Sequence, residues 1–502
     1  MRITAIAAQT LRWPIAGTGA ARGRSERAAV ILEVRSERGA IGLGEAAPLP
    51  GMSLDTLEQA ERALAAFALL APFELAVLEL ARIDRDPHLG AAIGAGHAHV
   101  GAVSAPSDTH DAMTGLAERD PDPHVGAAIR AGHAHVGALN ISDACLAPEA
   151  RMPFAIVDPS AAHAFAIAPP AARFAIETAL CDAIARERGV SLAALLRASA
   201  ARPATRPPAE AAPVPPGRGG SSTTPSSPLH PTVGPHAAST IPRNRPPIAY
   251  GGAARMVPLS VVVDDPAAAR RAHAAGIRSF KIKLASDDPL DRAFAIAAAA
   301  PGARLRIDAN RSWPRDEVAG RLAALAALPI DYVEEPCRDA HLLLATALPC
   351  KLALDESLAE LTPAELAAAL SSPQLAAVIL KPTVLGGLAA SLALAALARR
   401  SGVAAVASHA LEGPIGTAAC AELALALAAR DAAAAVPAAA AGLAPHAALD
   451  GWQLGVDQLA ADHVRAAAEP GLGFFDLDLA GVVHACGSRI AGAPRPGDRS
   501  AP

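Results

Sequence analysis

The sequence predicts an α/β protein, a modified TIM-type (β/α)7β barrel preceded by an N-terminal α+β capping domain. Two observations predict the barrel. From Met256 onward, seven short apolar segments alternate with Ala/Leu-rich segments of helical length, and most of the apolar segments end in an ionisable residue. A third observation, strand-like segments followed by helical ones in the first 200 residues, predicts the cap. An open doubly wound sheet is the alternative, but no Gly-rich nucleotide-binding motif opens a helix.

The cap is predicted from residues 1–200. The segments "MRITAIAAQTLRW" and "RAAVILEVRSERGAIGLGEAAPLPG" have strand character, with "ERGA" as a turn. The segment "SLDTLEQAERALAAFALL" is predicted to be a helix with Ser53 as its N-cap, and "PAARFAIETALCDAIARERG" a helix that ends at Gly189.

Two tracts interrupt this pattern. Within about 86–143, the motif "DPHLGAAIGAGHAHVGA" returns after 122 − 86 = 36 residues as "DPHVGAAIRAGHAHVGA". Its His-x-His pairs suggest a transition-metal site, but no carboxylate or cysteine cluster stands near them at ligand spacing, so we interpret the tract as a loosely ordered insertion. Residues of about 200–250 are rich in Pro, Ser, Gly and Arg, which predicts a disordered linker or insertion.

The barrel is predicted over 256–455. Its strands are "VPLSVVV", "SFKIKLA", "RLRIDAN", "DYVEEP", "KLALDES", "AAVILKP" and "VAAVASH". Segment 456–502 is expected to return to the cap and to end in a disordered tail.

Charged side chains end five successive strands of this barrel. They follow one another at intervals of 25, 26, 21 and 26 residues, about one βα unit each: Lys283, Asp308, Glu334, Asp355 and Lys381. Because the carboxyl ends of barrel strands converge on one mouth, we expect these charges to share one pocket. Lysines that protect an edge strand would explain the first strand, but not the repetition of charge on the following strands.

The residue types indicate the chemistry. Three neighbouring carboxylates repel one another unless a cation lies between them, and an all-oxygen ligand set favours Mg²⁺, with Mn²⁺ as a substitute. Lys281 shares a strand face with Lys283. A lysine close to a divalent cation and to another ammonium loses proton affinity and can act as a base, so the set predicts removal of an α-proton beside a metal-bound carboxylate.

The motifs "KIK", "RIDAN", "VEEP", "LDES" and "LKPTVLGG", in this order and spacing, resemble the enolase superfamily in its muconate-lactonizing branch. The segments "GLGEAAPLPGMSLDTLEQA" and "ARFAIETALCD" resemble the cap of that branch. The resemblance implies that Asp308, Glu334 and Asp355 are magnesium ligands and that Lys283 and Lys381 are the acid/base pair. It also implies a supporting or substrate-binding set: Lys281, Arg306, Asn310, Ser408, Glu412 and Gly413.

Within the branch, "RIDANRSW", "EEPC" and "LKPT" are most similar to the o-succinylbenzoate synthase family, which are dehydratases of menaquinone synthesis. The resemblance implies a carbon–oxygen lyase acting on 2-succinyl-6-hydroxy-2,4-cyclohexadiene-1-carboxylate, with Lys283 moving the proton and Lys381 stabilising the enolate. Dipeptide epimerases and N-acylamino-acid racemases share the five charges and stay as alternatives, although an Asp-x-Asp pair expected in the epimerases after the seventh strand is not visible. His409 stands where a serine is common. A catalytically silent binding or scaffold protein is the alternative from another class.

Composition excludes several partners. The formal net charge is −5 and no basic, aromatic-rich stretch is present, so nucleic acid is not expected. The chain shows neither an apolar run of membrane-spanning length nor a secretory leader, which predicts a cytoplasmic protein. Its six cysteines form no C-x-x-C pair, so reduced thiols are expected. The expected partner is a small-molecule carboxylate, and the oligomeric state stays open.

Overall fold

The computed structural model describes residues 1–15, 25–77, 152–200, 256–431, 441–450, 452–467, 469–474 and 477–486. The insertion predicted at about 86–143 with its His-x-His pairs, the linker predicted at about 200–250 beyond Ala200, and the C-terminal tail lie outside these residues.

The cap is built on an antiparallel sheet with the strand order β3-β2-β1-β4-β5. Its strands are β1 (Arg2–Pro14), β2 (Glu26–Ser36), β3 (Ile41–Ala46), β4 (Phe73–Val77) and β5 (Phe154–Ile156). Its helices are α1 (Leu57–Ala68), α2 (Pro159–Ile167), α3 (Pro170–Arg188) and α4 (Leu192–Ala200).

Helix α3 lies almost in contact with the backbone of β3. A Cβ atom at Gly42 would come within 2.0 Å of the Ala179 carbonyl oxygen, and one at Gly44 within 1.9 Å of the Ala175 oxygen. The "GLGE" segment therefore needs both glycines, because any side chain there would push the helix off the sheet. The helix ends, as predicted, at Gly189, which takes the left-handed conformation.

The predicted N-cap of α1 was wrong. Thr56, not Ser53, caps the helix, and its side chain and that of Gln59 form a reciprocal capping box. Ser53 instead accepts a hydrogen bond from the Leu49 N–H at 2.8 Å. It thereby closes the turn of the preceding loop, residues 47–53.

The barrel sheet is parallel throughout, and each of the seven predicted strands is confirmed. Among the described residues its order is β7-β8-β9-β10-β11-β12-β13. The strands are β7 (Ser260–Val262), β8 (Ser279–Lys283), β9 (Arg304–Asp308), β10 (Ile330–Glu334), β11 (Leu352–Leu354), β12 (Leu375–Leu380) and β13 (Ala404–Ala407). The helices between and after them are α5 (Pro266–Ala274), α6 (Asp291–Ala299), α7 (Val318–Leu325), α8 (Ala340–Leu343), α9 (Pro363–Leu370), α10 (Pro382–Leu385), α11 (Leu388–Arg400) and α12 (Pro414–Asp431).

Two residues close the curled sheet at the position of an eighth strand. Ala441 forms a parallel bridge with Leu259, at the start of the first barrel strand, and Gly442 forms one with Ser408, at the end of the last. The Ser260 N–H donates to the Ala441 oxygen at 2.8 Å, and the Gly442 N–H donates to the Ala407 oxygen at 2.9 Å. The predicted α/β barrel with an N-terminal cap is thus confirmed, and within the described ranges a short bridge stands at the position of its last strand.

The C-terminal segment contacts the cap. A short antiparallel pair, β6 (Val257–Pro258) with β14 (His463–Val464), lies beside the barrel, and helix α13 (Leu479–Ala485) follows. The Leu479 N–H, at the start of that helix, donates to Glu33 of β2 at 2.6 Å. Among the described residues, no helix combines the length and apolarity that crossing a membrane requires.

Candidate active site

Strand β8 presents its two lysines to the interior of the barrel. Phe280 and Ile282 are fully buried, whereas Lys281 and Lys283 alternate with them, are partly buried and line the same cavity. This alternation is the ordinary two-residue period of a strand. Both ammonium groups therefore belong to the barrel mouth and not to an exposed edge.

The register of the sheet aligns the first three predicted charges. Lys283 lies opposite Asp308, and Asp308 lies opposite Glu334. The Lys281 Nζ bridges the two carboxylates, at 2.8 Å from Asp308 Oδ2 and 2.8 Å from Glu334 Oε1. One positive charge thus already occupies the space between two predicted metal ligands.

Asp355 and Lys381 form a second buried pair. Asp355 follows β11, Lys381 follows β12, and the lysine Nζ donates to Asp355 Oδ2. The same Nζ lies 3.5 Å from the Met52 sulfur of the cap loop. Cap and barrel therefore meet at Lys381.

The pKa values follow from burial and from these pairs. Burial raises the pKa of Glu334 to about 7 although Lys281 opposes the shift, and burial raises that of Asp355 to about 6 against Lys381. For Asp308, Lys281 outweighs burial and the pKa is lowered. Burial alone would lower the pKa of each lysine, but the carboxylates outweigh it, so the pKa of Lys281 is well above its usual range and that of Lys381 is raised. The ion pair with Asp355 thus favours the charged form of Lys381, and the expected loss of proton affinity beside a divalent cation stays a prediction.

These groups line a cavity of about 430 Å³ between cap and barrel. Of the predicted site residues, those on its wall are Lys281, Lys283, Arg306, Asp308, Asn310, Glu334, Lys381 and Ser408. Asp355 lies behind the wall and contacts Lys381. Arg306 lies over the Tyr332 ring at 5.2 Å, and the Asn310 N–H donates to Asp308 at 3.0 Å.

The structure does not bring Glu412 and Gly413 to the cavity wall. The Glu412 carboxylate is buried and accepts hydrogen bonds from the Thr383 hydroxyl and the Ala410 N–H, both at 2.6 Å. The Gly413 N–H donates to Glu45 of the cap at 2.5 Å. Both residues therefore shape the loop after β13, residues 408–416.

Glu335 is a supporting residue that sequence reasoning missed. Its buried carboxylate accepts from the Asp355 N–H at 2.8 Å, from the Ser357 N–H at 2.9 Å and from Arg311 Nε at 3.1 Å. It ties the ends of β9, β10 and β11 together and fixes the backbone that carries Asp355. The sequence signal that could have identified Glu335 is its place as the second glutamate of the "VEEP" motif.

Two imidazoles line the same cavity as the strand-end charges, and of the two sequence reasoning noted only His409. His409 and His446 stack with ring centroids 3.8 Å apart and an interplanar angle of 17°. Burial lowers the pKa of His446 to about 3 and that of His409 well below its usual range, and the neighbouring lysines lower the latter further. Both rings are neutral at physiological pH.

The carboxylates fit a hard divalent cation only in part. Within the residues that the structure describes, no three ligating side chains are grouped closely enough to hold a metal ion. Asp308 and Glu334 fit such an ion, because both already converge on one cation, the Lys281 ammonium. Asp355 would complete the set only after its carboxylate leaves Lys381. The three-ligand magnesium site stays a prediction.

Residues 264–478 match the family model described as enolase C-terminal domain-like. No curated protein sequence matches the chain. Among solved structures, a dipeptide epimerase from Methylococcus capsulatus complexed with Mg and L-Arg-D-Lys shares 22% identity at a TM-score of 0.54, covering 94% of this chain and 99% of that one. A dipeptide epimerase from Enterococcus faecalis V583 complexed with Mg and L-Leu-L-Tyr shares 17% at 0.54, with 94% and 99% covered. The muconate lactonizing enzyme from Pseudomonas putida shares 18% at 0.52, with 94% and 96% covered.

The barrel of this chain is therefore similar to the enolase C-terminal domain-like family over residues 264–478. At these identities the solved structures establish the shared fold, which includes an N-terminal cap.

Proposed function

We propose that this protein is a Mg²⁺-dependent dehydratase of the o-succinylbenzoate synthase type. It would remove water from 2-succinyl-6-hydroxy-2,4-cyclohexadiene-1-carboxylate. The observation that carries the proposal is the ion pair between Lys381 and Asp355, which favours the charged form of Lys381, while Lys283 lines the same cavity from the end of β8. A syn dehydration needs one proton-transferring lysine and one charge, whereas a racemase needs a base on each face of the substrate.

Each lysine then has a separate role. Lys283 removes the proton α to the substrate carboxylate, and the electron pair left behind is held as an enediolate beside the Lys381 ammonium. The C–O bond to the leaving hydroxyl breaks, Lys283 returns its proton to that group, and water departs as the ring becomes aromatic.

Asp308, Glu334 and Asp355 would hold the metal ion. When bound, Mg²⁺ would supply Lewis-acid stabilisation of the substrate carboxylate. The solved Mg complexes of both dipeptide epimerases support this cofactor for a barrel of the same fold.

The wall around the rest of the substrate also supports the proposal. It is formed by the cap residues Leu49 and Met52, by Leu411 and by the neutral His409 and His446. Past the bridge at 441–442, the described cavity residues Ala444, Pro445, His446 and Ala447 include no carboxylate. This part of the wall favours an uncharged group, whereas a cationic substrate end could pair with Asp264, which lines the cavity after β7.

A dipeptide epimerase or N-acylamino-acid racemase is the second candidate. The fold shared with two dipeptide epimerases favours it, and one of these was solved with the apolar dipeptide L-Leu-L-Tyr. An apolar wall accepts such a side chain, so only the reaction itself separates the two functions.

The test is a direct assay of purified protein with Mg²⁺. Incubation with the cyclohexadiene substrate should produce the absorbance of the aromatic product, and EDTA should abolish it. A parallel incubation with N-acylamino acids and L-Leu-L-Tyr in D₂O should give no deuterium at the α-carbon. Fast exchange in the second assay together with no product in the first would refute the dehydratase and support the epimerase.

A further inference from the structure

The cap holds the rim of the cavity through two buried charges, Arg27 on β2 and Glu45 on β3. Arg27 is 3% exposed and Glu45 is fully buried. Neither lines the cavity among the described residues, yet both are bonded to the loops that do.

The Arg27 guanidinium joins two loops from different domains. On the barrel side, its Nε donates to the Leu411 oxygen at 2.8 Å and its Nη2 to the Ala410 oxygen at 2.9 Å. On the cap side, its Nη1 donates to the Pro48 oxygen at 2.8 Å and its Nη2 to the Ala47 oxygen at 2.6 Å. The planar fork of arginine suits this arrangement, because its fixed donors point along two edges at once.

Glu45 binds the same barrel loop through backbone N–H groups, whereas Arg27 binds it through carbonyl oxygens. Its carboxylate accepts from the Gly413 N–H at 2.5 Å and from the Gly416 N–H at 2.8 Å. A Cβ atom at Gly413 would come within 3.1 Å of this carboxylate, so the loop is in close contact with the cap. Arg27, which binds carbonyl oxygens, and Glu45, which binds N–H groups, thus fix residues 410–416.

The held loop carries backbone strain. Leu411 has φ +59°, in the left-handed region that side chains such as leucine rarely adopt. Such a conformation persists where surrounding contacts over-determine it, and it is typical of functional sites. Arg27 holds the Leu411 carbonyl, and the His409 ring accepts from the Leu411 N–H at 3.1 Å.

The two joined loops, 47–53 and 408–416, both contribute to the cavity wall. Leu49, Ala410 and Leu411 belong to one small apolar cluster, with Met52 packed against it. Met52 in turn contacts the Lys381 Nζ. The guanidinium is therefore linked to the reacting end of the site through the loop that it holds.

We propose that Arg27 is a positioning residue which, together with Glu45, holds loops 47–53 and 408–416 in the substrate-binding arrangement. This rests on the proposed function only for the choice of substrate. The loops shape the wall but do not carry the strand-end charges, so weakening them should impair substrate binding more than chemistry.

The test compares Arg27→Met, Arg27→Lys and Glu45→Gln with Arg35→Met, a matched change on the same strand at a side chain that is 45% exposed and pairs with Glu33. In the assay above, Arg27→Met should raise KM at least about tenfold with kcat within about threefold of wild type. Arg27→Lys keeps the charge but not the fork, so it should restore part of the loss. Arg35→Met should behave as wild type.

Hydrogen exchange gives a readout that does not depend on the reaction. Arg27→Met should speed exchange at the Leu411, Met52 and Ser53 amides at least about tenfold, because their acceptors sit on the released loops, and at the Gly413 amide, because the loop that carries it is held to Glu45. Amides within the barrel strands should keep wild-type rates. If Arg27→Met fails to fold, the milder Arg27→Lys and Glu45→Gln carry the same comparison.

Unchanged KM and unchanged loop exchange in these variants would overturn the proposal. An equal fall in kcat and kcat/KM with KM unchanged would also overturn it, since that would assign Arg27 to the chemical step. If wild type turns over neither substrate, the proposed function fails, and the exchange data still decide whether Arg27 holds the loops.

Discussion

Lysine is rare in this chain, and its distribution marks the site. The sequence has 44 Lys and Arg together but only four lysines, at 281, 283, 351 and 381. Three of the four line the cavity. Arginine cannot be deprotonated in a protein and its fork is bulky, so positions that need proton transfer or a compact charge cannot accept the cation preferred elsewhere in the chain.

Lys281 should compete with the metal ion. Its ammonium bridges Asp308 and Glu334, so Lys281→Met should leave these carboxylates open to Mg²⁺ and tighten metal binding by about tenfold, or about 1.4 kcal/mol. Isothermal titration with Mg²⁺ measures this. Lys351→Met, at an exposed lysine, is the control. Equal or weaker affinity in Lys281→Met would show that the metal does not use the space of this ammonium.

A charge-preserving variant separates the roles proposed for Lys283 and Lys381. Lys381→Arg keeps a positive charge but cannot act as a base, so it should retain measurable dehydration. Lys283→Arg should lose about 10²–10⁴-fold in rate, as expected for loss of a general base. The product's absorbance measures both rates. Equal and complete loss in the two variants would indicate that both lysines transfer protons.

At the scale of elements, the ends of the barrel strands hold the strained backbone. Within the described residues, the non-glycine residues in the left-handed region are Asn310 (φ +46°), Arg311 (+59°), Glu335 (+42°) and Leu411 (+59°). Each lies one to four residues past the end of a barrel strand. Asparagine tolerates this conformation, but the other three need tertiary contacts, and Arg311 with Glu335 supplies one at 3.1 Å.

These elements show why sequence reasoning placed the barrel strands correctly but misplaced the N-cap residue of helix α1. Apolar runs bounded by charges predict strand positions well, because burial of both faces fixes their composition. The start of α1 was misplaced by three residues, since Ser53 and Thr56 are equally good cap residues in isolation. The choice between them depends on Gln59, which completes the box with Thr56, and on Leu49, which engages Ser53.

Thr56 and Ser53 should therefore differ in their effects. Thr56→Ala should lower the unfolding free energy by about 1 kcal/mol through loss of the helix cap. Ser53→Ala should leave α1 intact but loosen loop 47–53, with a rise in KM and a smaller change in stability. Chemical denaturation and the dehydration assay test the pair. A larger loss of stability in Ser53→Ala would contradict the assignment of the cap.

At the scale of the whole molecule, buried carboxylates join the parts of the chain. Glu45, Glu177 and Glu422 are all nearly or fully buried, and each accepts a backbone N–H from a distant segment. Sequence reasoning could place strand-end charges in one pocket because a barrel converges them. It could not find Arg27, Glu45 or the His409 and His446 stack, because these depend on cap-to-barrel distances and on loops without a repeating pattern.

Stability should fall as the pH rises through neutrality. Burial raises the pKa of Glu422 to about 7 from 4.5. A group whose pKa is raised on folding stabilises most below about 4.5 and loses that contribution as the pH passes 7. The difference of 7 − 4.5 = 2.5 corresponds to at most about 3 kcal/mol. Glu422→Gln should therefore flatten the pH dependence of the unfolding free energy between pH 4.5 and 7, measured by urea denaturation.

The matched control for this experiment is Glu365→Gln. The Thr362 N–H lowers the pKa of that exposed carboxyl, so its contribution is present above its unfolded pKa and is lost on acidification. The control should change the acid side of the profile and leave the slope between pH 4.5 and 7 as in wild type. An unchanged slope in Glu422→Gln would show that this carboxyl is ionised in the folded protein.

The closure of the barrel by main-chain hydrogen bonds at Ala441 and Gly442 has a consequence for evolution. The strand-end charges stand at the ends of β8 to β12, whereas much of the remaining cavity wall comes from the cap loop and from the residues after Gly442. Under the proposed function, mutations that change the accepted substrate fall on segments that hold none of the strand-end charges. A lineage with this architecture could then change its substrate and keep the proposed proton chemistry.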